Sequence, residues 1–163
     1  MSVTWIDGRE VAKKWKENAA QRTQALIEKG VTPHLAVVVA GENPASQVYV
    51  RNKHKSCGEV GIESEVITMP EQTTQQELLE VVERLNQDET VDGILVQLPL
   101  PKGLDEARVL ALIDPKKDVD GFHAMNAGKL MSGQPGFVPC TPLGVMKLLE
   151  AYDIPTRGKH AVV

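Results

Sequence analysis

Two hydrophobic periods alternate along this chain. From Asp7 to Lys29 the apolar residues Val11, Trp15, Ala19, Leu26 and Ile27 recur at helical spacing, and Gly30 follows as a left-handed stop. LAVVVA (35–40) is a short, continuous apolar run followed by GENP, which predicts a strand buried on both faces. Helical character returns over 45–59 and stops at Gly61. A second strand is expected from Ile62 to Met69, with Ile62, Ser64, Val66 and Thr68 in alternation and Pro70 closing it. Thr74 and Glu77 fit a capping box, and Leu78, Leu79, Val82 and Leu85 form one stripe, so 74–87 reads as a helix. GILVQL (93–98) is a third buried strand stopped by PLP, and a short helix follows over 105–113.

Residues 114–139 are rich in glycine and proline and lack a strong period, which predicts a long functional loop. At 141–152 a helix is expected, with Thr141 as N-cap, Pro142 at the first helical position and Val145, Leu148 and Leu149 as its apolar stripe. The closing HAVV reads as the start of a further strand. Strand and helix alternate throughout, so the expected fold class is α/β, a mainly parallel sheet flanked by helices. The reading divides the chain into a catalytic domain with its long loop over 1–139 and, over 140–163, a connecting helix and the first strand of a truncated Rossmann domain. Neither GxGxxG nor GxxxxGK[ST] occurs, so no phosphate-binding turn is read.

Composition narrows the function. The chain has 163 residues, a formal net charge of −4, 42% hydrophobic and 25% charged residues, which suits a globular domain and argues against a general nucleic-acid binder. No apolar run approaches the ~20 residues that span a bilayer, and the start lacks a secretory pattern. Cys57 and Cys140 stand far apart, and the four histidines are scattered, so neither a disulfide framework nor a metal site is expected. Two reduced thiols suit the cytoplasm.

Four stretches could carry chemistry. In VYVRNKHK (48–55), at ~100° per residue, Lys53 lies about 40° from Tyr49, while Arg51 and Lys55 lie near 200° and 240°. Lys53 thus shares a semi-apolar face with Tyr49, Cys57 and Val60, where lost hydration would favour a neutral, proton-accepting amine; spacing alone also admits a lysine that snorkels to water beside a Tyr49 that is core. Gln97 stands near the carboxyl end of a buried strand, where open parallel sheets place ligands. In KKDVDGFH (116–123), Asp118 and Asp120 straddle Val119 and could share one side; Asp120 could accept two hydrogen bonds from an amidine-like heterocycle edge, or form an Asx turn before Gly121. In PCTP (139–142), the helix start could face an anion or cofactor, and Cys140 is read as inert.

Together and in order, NPAS-x-x-YV-x-x-K (43–53), DGILVQLPLP (92–101), KDVDGFH (117–123) and PCTP (139–142) resemble bifunctional methylenetetrahydrofolate dehydrogenase/methenyltetrahydrofolate cyclohydrolase. The resemblance implies NADP-dependent oxidation of 5,10-methylenetetrahydrofolate to the methenyl form, then hydrolysis to 10-formyltetrahydrofolate, in one cleft. It implies a cytoplasmic enzyme of one-carbon metabolism that serves purine, methionine and histidine biosynthesis. By resemblance, Lys53, Tyr49, Gln97 and Asp120 are catalytic. Tyr49, Val50, Arg51, Asn52, Lys53, Val96, Gln97, Leu98 and Asp120 contact the folate, and Thr141 contacts the cofactor. The family's NADP turn would follow the strand begun at His160, so NADP binding is expected to be absent or severely weakened if the chain is whole. Family homodimers form largely through the Rossmann domain, which leaves dimerisation of these residues open.

Overall fold

The computed structural model describes residues 3–162. Three parallel strands, β1 (His34–Ala40), β2 (Glu63–Met69) and β3 (Gly93–Val96), form a sheet in the order β2-β1-β3. Helices α1 (Gly8–Ile27), α2 (Pro44–Glu59), α3 (Gln75–Gln87), α4 (Glu106–Leu112), α5 (Ala124–Met131) and α6 (Cys140–Ala151) complete the chain. The expected α/β fold with a parallel sheet is what is found.

The alternation of a strand's side chains decides which layer each residue serves. Ala36, Val38 and Ala40 of β1, with Ile94 and Val96 of β3, pack against Leu78, Leu79, Val82 and Leu85 of α3 and Val109 of α4. The opposite parity, Val37, Val39 and Leu95, packs against Val50 of α2 with Leu35 and Val119. β1 is therefore buried on both faces, as its unbroken apolar run requires. The capping box of α3 is complete: Thr74 accepts from the Glu77 backbone, and Glu77 accepts from the Thr74 backbone.

Several expectations need correction. β2 is an edge strand whose inward residues are Ile67 and Met69; Val66 is exposed. α1 turns Val11 and Thr23 inward and leaves Trp15, Leu26 and Ile27 at the surface. The 114–139 segment is not all loop, because α5 forms within it. His123 caps α5 by accepting from the Met125 N–H, and the eight-residue helix is too short for a period to show in sequence. α6 starts at Cys140 after Pro139, without a side-chain cap, so Thr141 lies inside the helix rather than at its N-cap. No residue of α6 is buried, and Val145 is 51% exposed, because this helix meets the rest of the described chain chiefly at α1. Residues 160–162 form no strand, since none of the three described strands pairs with them; Val163 lies outside the described residues. Among the described residues, no helix is long and apolar enough to cross a membrane.

Candidate active site

Lys53 is placed by the helix period and Gln97 by the strand period. α2 begins at Pro44 behind Asn43, whose side chain accepts from Ala45 N and Ser46 N. Val50 then faces the sheet, 3% exposed, and with Ser46 one turn earlier fixes the rotation of the helix. That rotation leaves Lys53 half-buried over the end of β3 and turns Arg51 and Lys55 to solvent, where Lys55 meets Glu59. Gln97 follows β3 with the parity of Leu95, so it faces the α2 layer. Its N–H donates to Val38 O at 2.8 Å, continuing the sheet by one residue. Its side-chain Oε1 accepts from Lys53 Nζ at 3.1 Å, and its Nε2 donates to Leu98 O at 2.7 Å. The second bond orients the amide with its oxygen toward the lysine.

A cleft of about 650 Å³ opens between these groups and the 119–122 segment. Tyr49, Lys53, Val96, Gln97, Leu98, Asp120 and Thr141 all line it. Tyr49 is 61% exposed, so its ring stands at the rim with no core role. Burial pushes the Asp120 carboxyl up from the ordinary carboxylate range; Lys53 opposes that shift, and Asp118 adds to it. Cys140, read as inert from sequence, also lines the cleft, and its thiol too is raised, by burial and then by Asp120. Its place in PCTP was the only sequence signal. Three expected substrate contacts are not among the residues that line the cleft. Val50 is core, and Arg51 and Asn52 are exposed to solvent. Their adjacency to Lys53 in sequence is undone by the 100° step of the helix.

Four of the five residues 117–121, all but Asp120, have their own anchor. Lys117 Nζ donates to the carbonyls of Leu85, Asn86 and Asp88 at 3.0, 2.9 and 2.7 Å, closing the carboxyl end of α3. Val119 packs over Gly93, where a Cβ would approach its Cγ1 to 2.6 Å. Gly121 has φ +69°, and a Cβ there would lie 3.0–3.1 Å from the backbone of Phe137–Pro139. Asp118 and Asp120 do not share a side. Gly121 N turns back to Asp118 O at 3.2 Å, which breaks the strand-like alternation, so Asp118 is buried while Asp120 enters the cleft.

Fold and site define a parallel α/β domain with a cleft at the end of its third strand. The family profile for the tetrahydrofolate dehydrogenase/cyclohydrolase catalytic domain matches residues 6–120, and the chain belongs to this family. It is 51% identical to the bifunctional protein FolD of Enterococcus faecalis over 98% of this chain and 57% of that protein. It is 56% identical to FolD of Campylobacter concisus over 97% of this chain and 56% of that protein. The crystal structure of the bifunctional FolD dehydrogenase/cyclohydrolase of Campylobacter jejuni superposes with a TM-score of 0.92 at 50% identity, covering 94% of this chain and 55% of that one. The Trypanosoma brucei dehydrogenase-cyclohydrolase, solved with NADP and an inhibitor, matches with a TM-score of 0.92 at 35% identity, covering 98% of this chain and 55% of that one. The chain thus spans somewhat more than half the length of these relatives.

Proposed function

We propose that the cleft binds a reduced folate and that Lys53 serves hydrolysis of 5,10-methenyltetrahydrofolate to 10-formyltetrahydrofolate. The observation that carries this reading is the Lys53–Gln97 pair at 3.1 Å, with Asp120 lining the same cleft. The methenyl carbon belongs to an electrophilic amidinium. Water adds to that carbon and loses one proton, giving a neutral carbinolamine; the carbon–N5 bond then breaks as N5 takes up a proton and the hydroxyl gives one up to become the formyl carbonyl, one proton being released overall. The amine of Lys53, held by Gln97 Oε1, is the group placed to receive or return a proton in these steps. A cationic substrate beside it disfavours a second positive charge, which helps the amine to act as a base. Asp120 accepts the paired N–H donors of the pterin's amino-pyrimidine edge, and Tyr49 stacks at the rim. Val96 and Leu98 supply the apolar wall.

In a longer protein of this family the same cleft would serve oxidation of the methylene form by NADP, which accepts the hydride. No glycine-rich turn for the dinucleotide's pyrophosphate is read in the sequence. α1 to α5 each carry a side-chain cap, from Asp7, Asn43, Thr74, Asp105 and His123, that takes one or two of the N–H groups of the first turn. Only the start of α6 lacks a side-chain cap, with Thr141 at the cleft edge as the proposed cofactor contact. Cys57 and Cys140 are unpaired, in keeping with a cytoplasmic setting.

Loss of methenyltetrahydrofolate followed by absorbance tests the reading. Lys53→Ala is expected to lower the rate by about 100-fold or more, with folate binding retained. Equal rates at the uncatalysed background for both proteins would sink catalysis by this chain.

A further inference from the structure

Asp118 does not line the cleft, yet three N–H groups converge on its carboxylate. Its side chain is buried, with 2% of the residue exposed. Oδ1 accepts from Phe122 N at 3.2 Å, and Oδ2 accepts from His123 N at 2.9 Å and Asn126 Nδ2 at 2.8 Å. The second amide proton of Asn126, itself 1% exposed, goes to Pro115 O at 2.9 Å. The Asp118 N–H donates to Asp114 O at 3.0 Å, and Asp118 bridges to Ile94 of β3. Backbone and side chain of this one residue therefore tie together β3, the turn at 114–115 and the start of α5. Asp120 is suspended between those ties, two residues after Asp118 and three before the His123 N–H that Asp118 holds.

We propose that Asp118 is a positioning residue for substrate recognition: it fixes the path of the 118–123 segment so that Asp120 faces the folate cleft. This rests on the reading of Asp120 as the pterin-binding carboxylate. The two act as one unit electrostatically as well. The charged and titratable groups that bear on Asp120 are Lys53 from α2, Cys140 from α6 and Asp118 from its own segment. Burial raises the Asp120 pKa most, Lys53 lowers it, and Asp118 raises it further. Removing the Asp118 charge therefore lets Asp120 ionise at lower pH, and folate binding that needs the carboxylate persists to lower pH.

Titration calorimetry with tetrahydrofolate, from acidic to neutral pH, tests this on the 163-residue chain and its Asp118→Asn, Asp118→Ala and Asp120→Asn variants. Circular dichroism sets a temperature at which each is folded. Asp118→Ala is expected to bind about tenfold more weakly, the loss of one to two hydrogen bonds' worth of positioning. Asp118→Asn, which keeps an oxygen where Oδ2 accepts two of the three donors, is expected to weaken binding less and to move the pH midpoint of binding downward. A purely structural Asp118 would lower the melting temperature and leave affinity and midpoint at wild-type values. That result, with Asp120→Asn losing binding, overturns the proposal. If Asp118→Ala does not fold, the midpoint of Asp118→Asn decides alone, an unchanged midpoint counting against it. Undiminished binding by Asp120→Asn, or no binding by the wild type, instead overturns the functional reading and the proposal with it.

Discussion

The two walls of the cleft are built on different principles. α2 is a regular helix whose period carries Lys53 and Tyr49 to one side and Arg51 and Lys55 to the other. Its buried face, Ser46 and Val50 one turn apart, sets its rotation. The 117–121 segment has no period to lean on. Lys117 is anchored to α3, Asp118 to α5 and β3, Val119 to the sheet, and Gly121 against 137–139, which leaves Asp120 turned into the cleft. A regular element positions a catalytic group through geometry it would adopt anyway. An irregular one needs a separate anchor at nearly every residue, so its function is exposed to substitutions that never touch the ligand.

The largest test of that contrast is Gly121→Ala. The positive φ and the close backbone of Phe137–Pro139 leave no room for a Cβ, so a loss of roughly 2–4 kcal/mol is expected, read from urea unfolding. Folate affinity should fall with it. A variant as stable as wild type would show the segment to be compliant. Next is Lys117→Met, which strands three carbonyls at the end of α3 and should cost about 2 kcal/mol in the same measurement.

Asp120→Asn separates stability from binding. Its carboxyl is raised in the fold, so its contribution to stability is full below the unfolded value of about 3.9 and is lost as pH rises through the folded value. At neutral pH the ionised group therefore opposes folding. Asp120→Asn should melt above wild type at neutral pH, the gap closing in acid, while losing folate affinity; thermal melts across pH check the first and calorimetry the second. The smallest effect lies on α2. Gly58 has nothing within 4 Å of a built Cβ and sits in a helix, so Gly58→Ala should add about 0.5–1 kcal/mol, visible as a modest rise in melting temperature.

Sequence pattern was sufficient where one period governed one element. The apolar run of β1, the capping box and stripe of α3 and the angular separation of Lys53 from Lys55 are all legible in residue spacing alone. The place of Gln97 at the end of a buried strand is legible too; its bond to Lys53 is not. Pattern failed where burial came from distant partners. In the expected stripe of α6, Val145 is exposed and Leu148 and Leu149 are only partly buried, since propensity and spacing say which residues could be buried and not whether anything covers them. α5 was hidden within a glycine-rich stretch, because its buried residue is the polar Asn126, held by Asp118 rather than by apolar contact.

The sequence by itself determined the parallel α/β order and the lysine that faces away from its basic neighbours, because those follow from local periodicity. Only the tertiary structure decided that Asp118 and Asp120 part company, that Val50, Arg51 and Asn52 do not line the cleft, and that Cys140 does. Each of these depends on a contact between residues far apart in the chain, or on the rotation of a helix against a sheet, and neither is written in the spacing of any single segment.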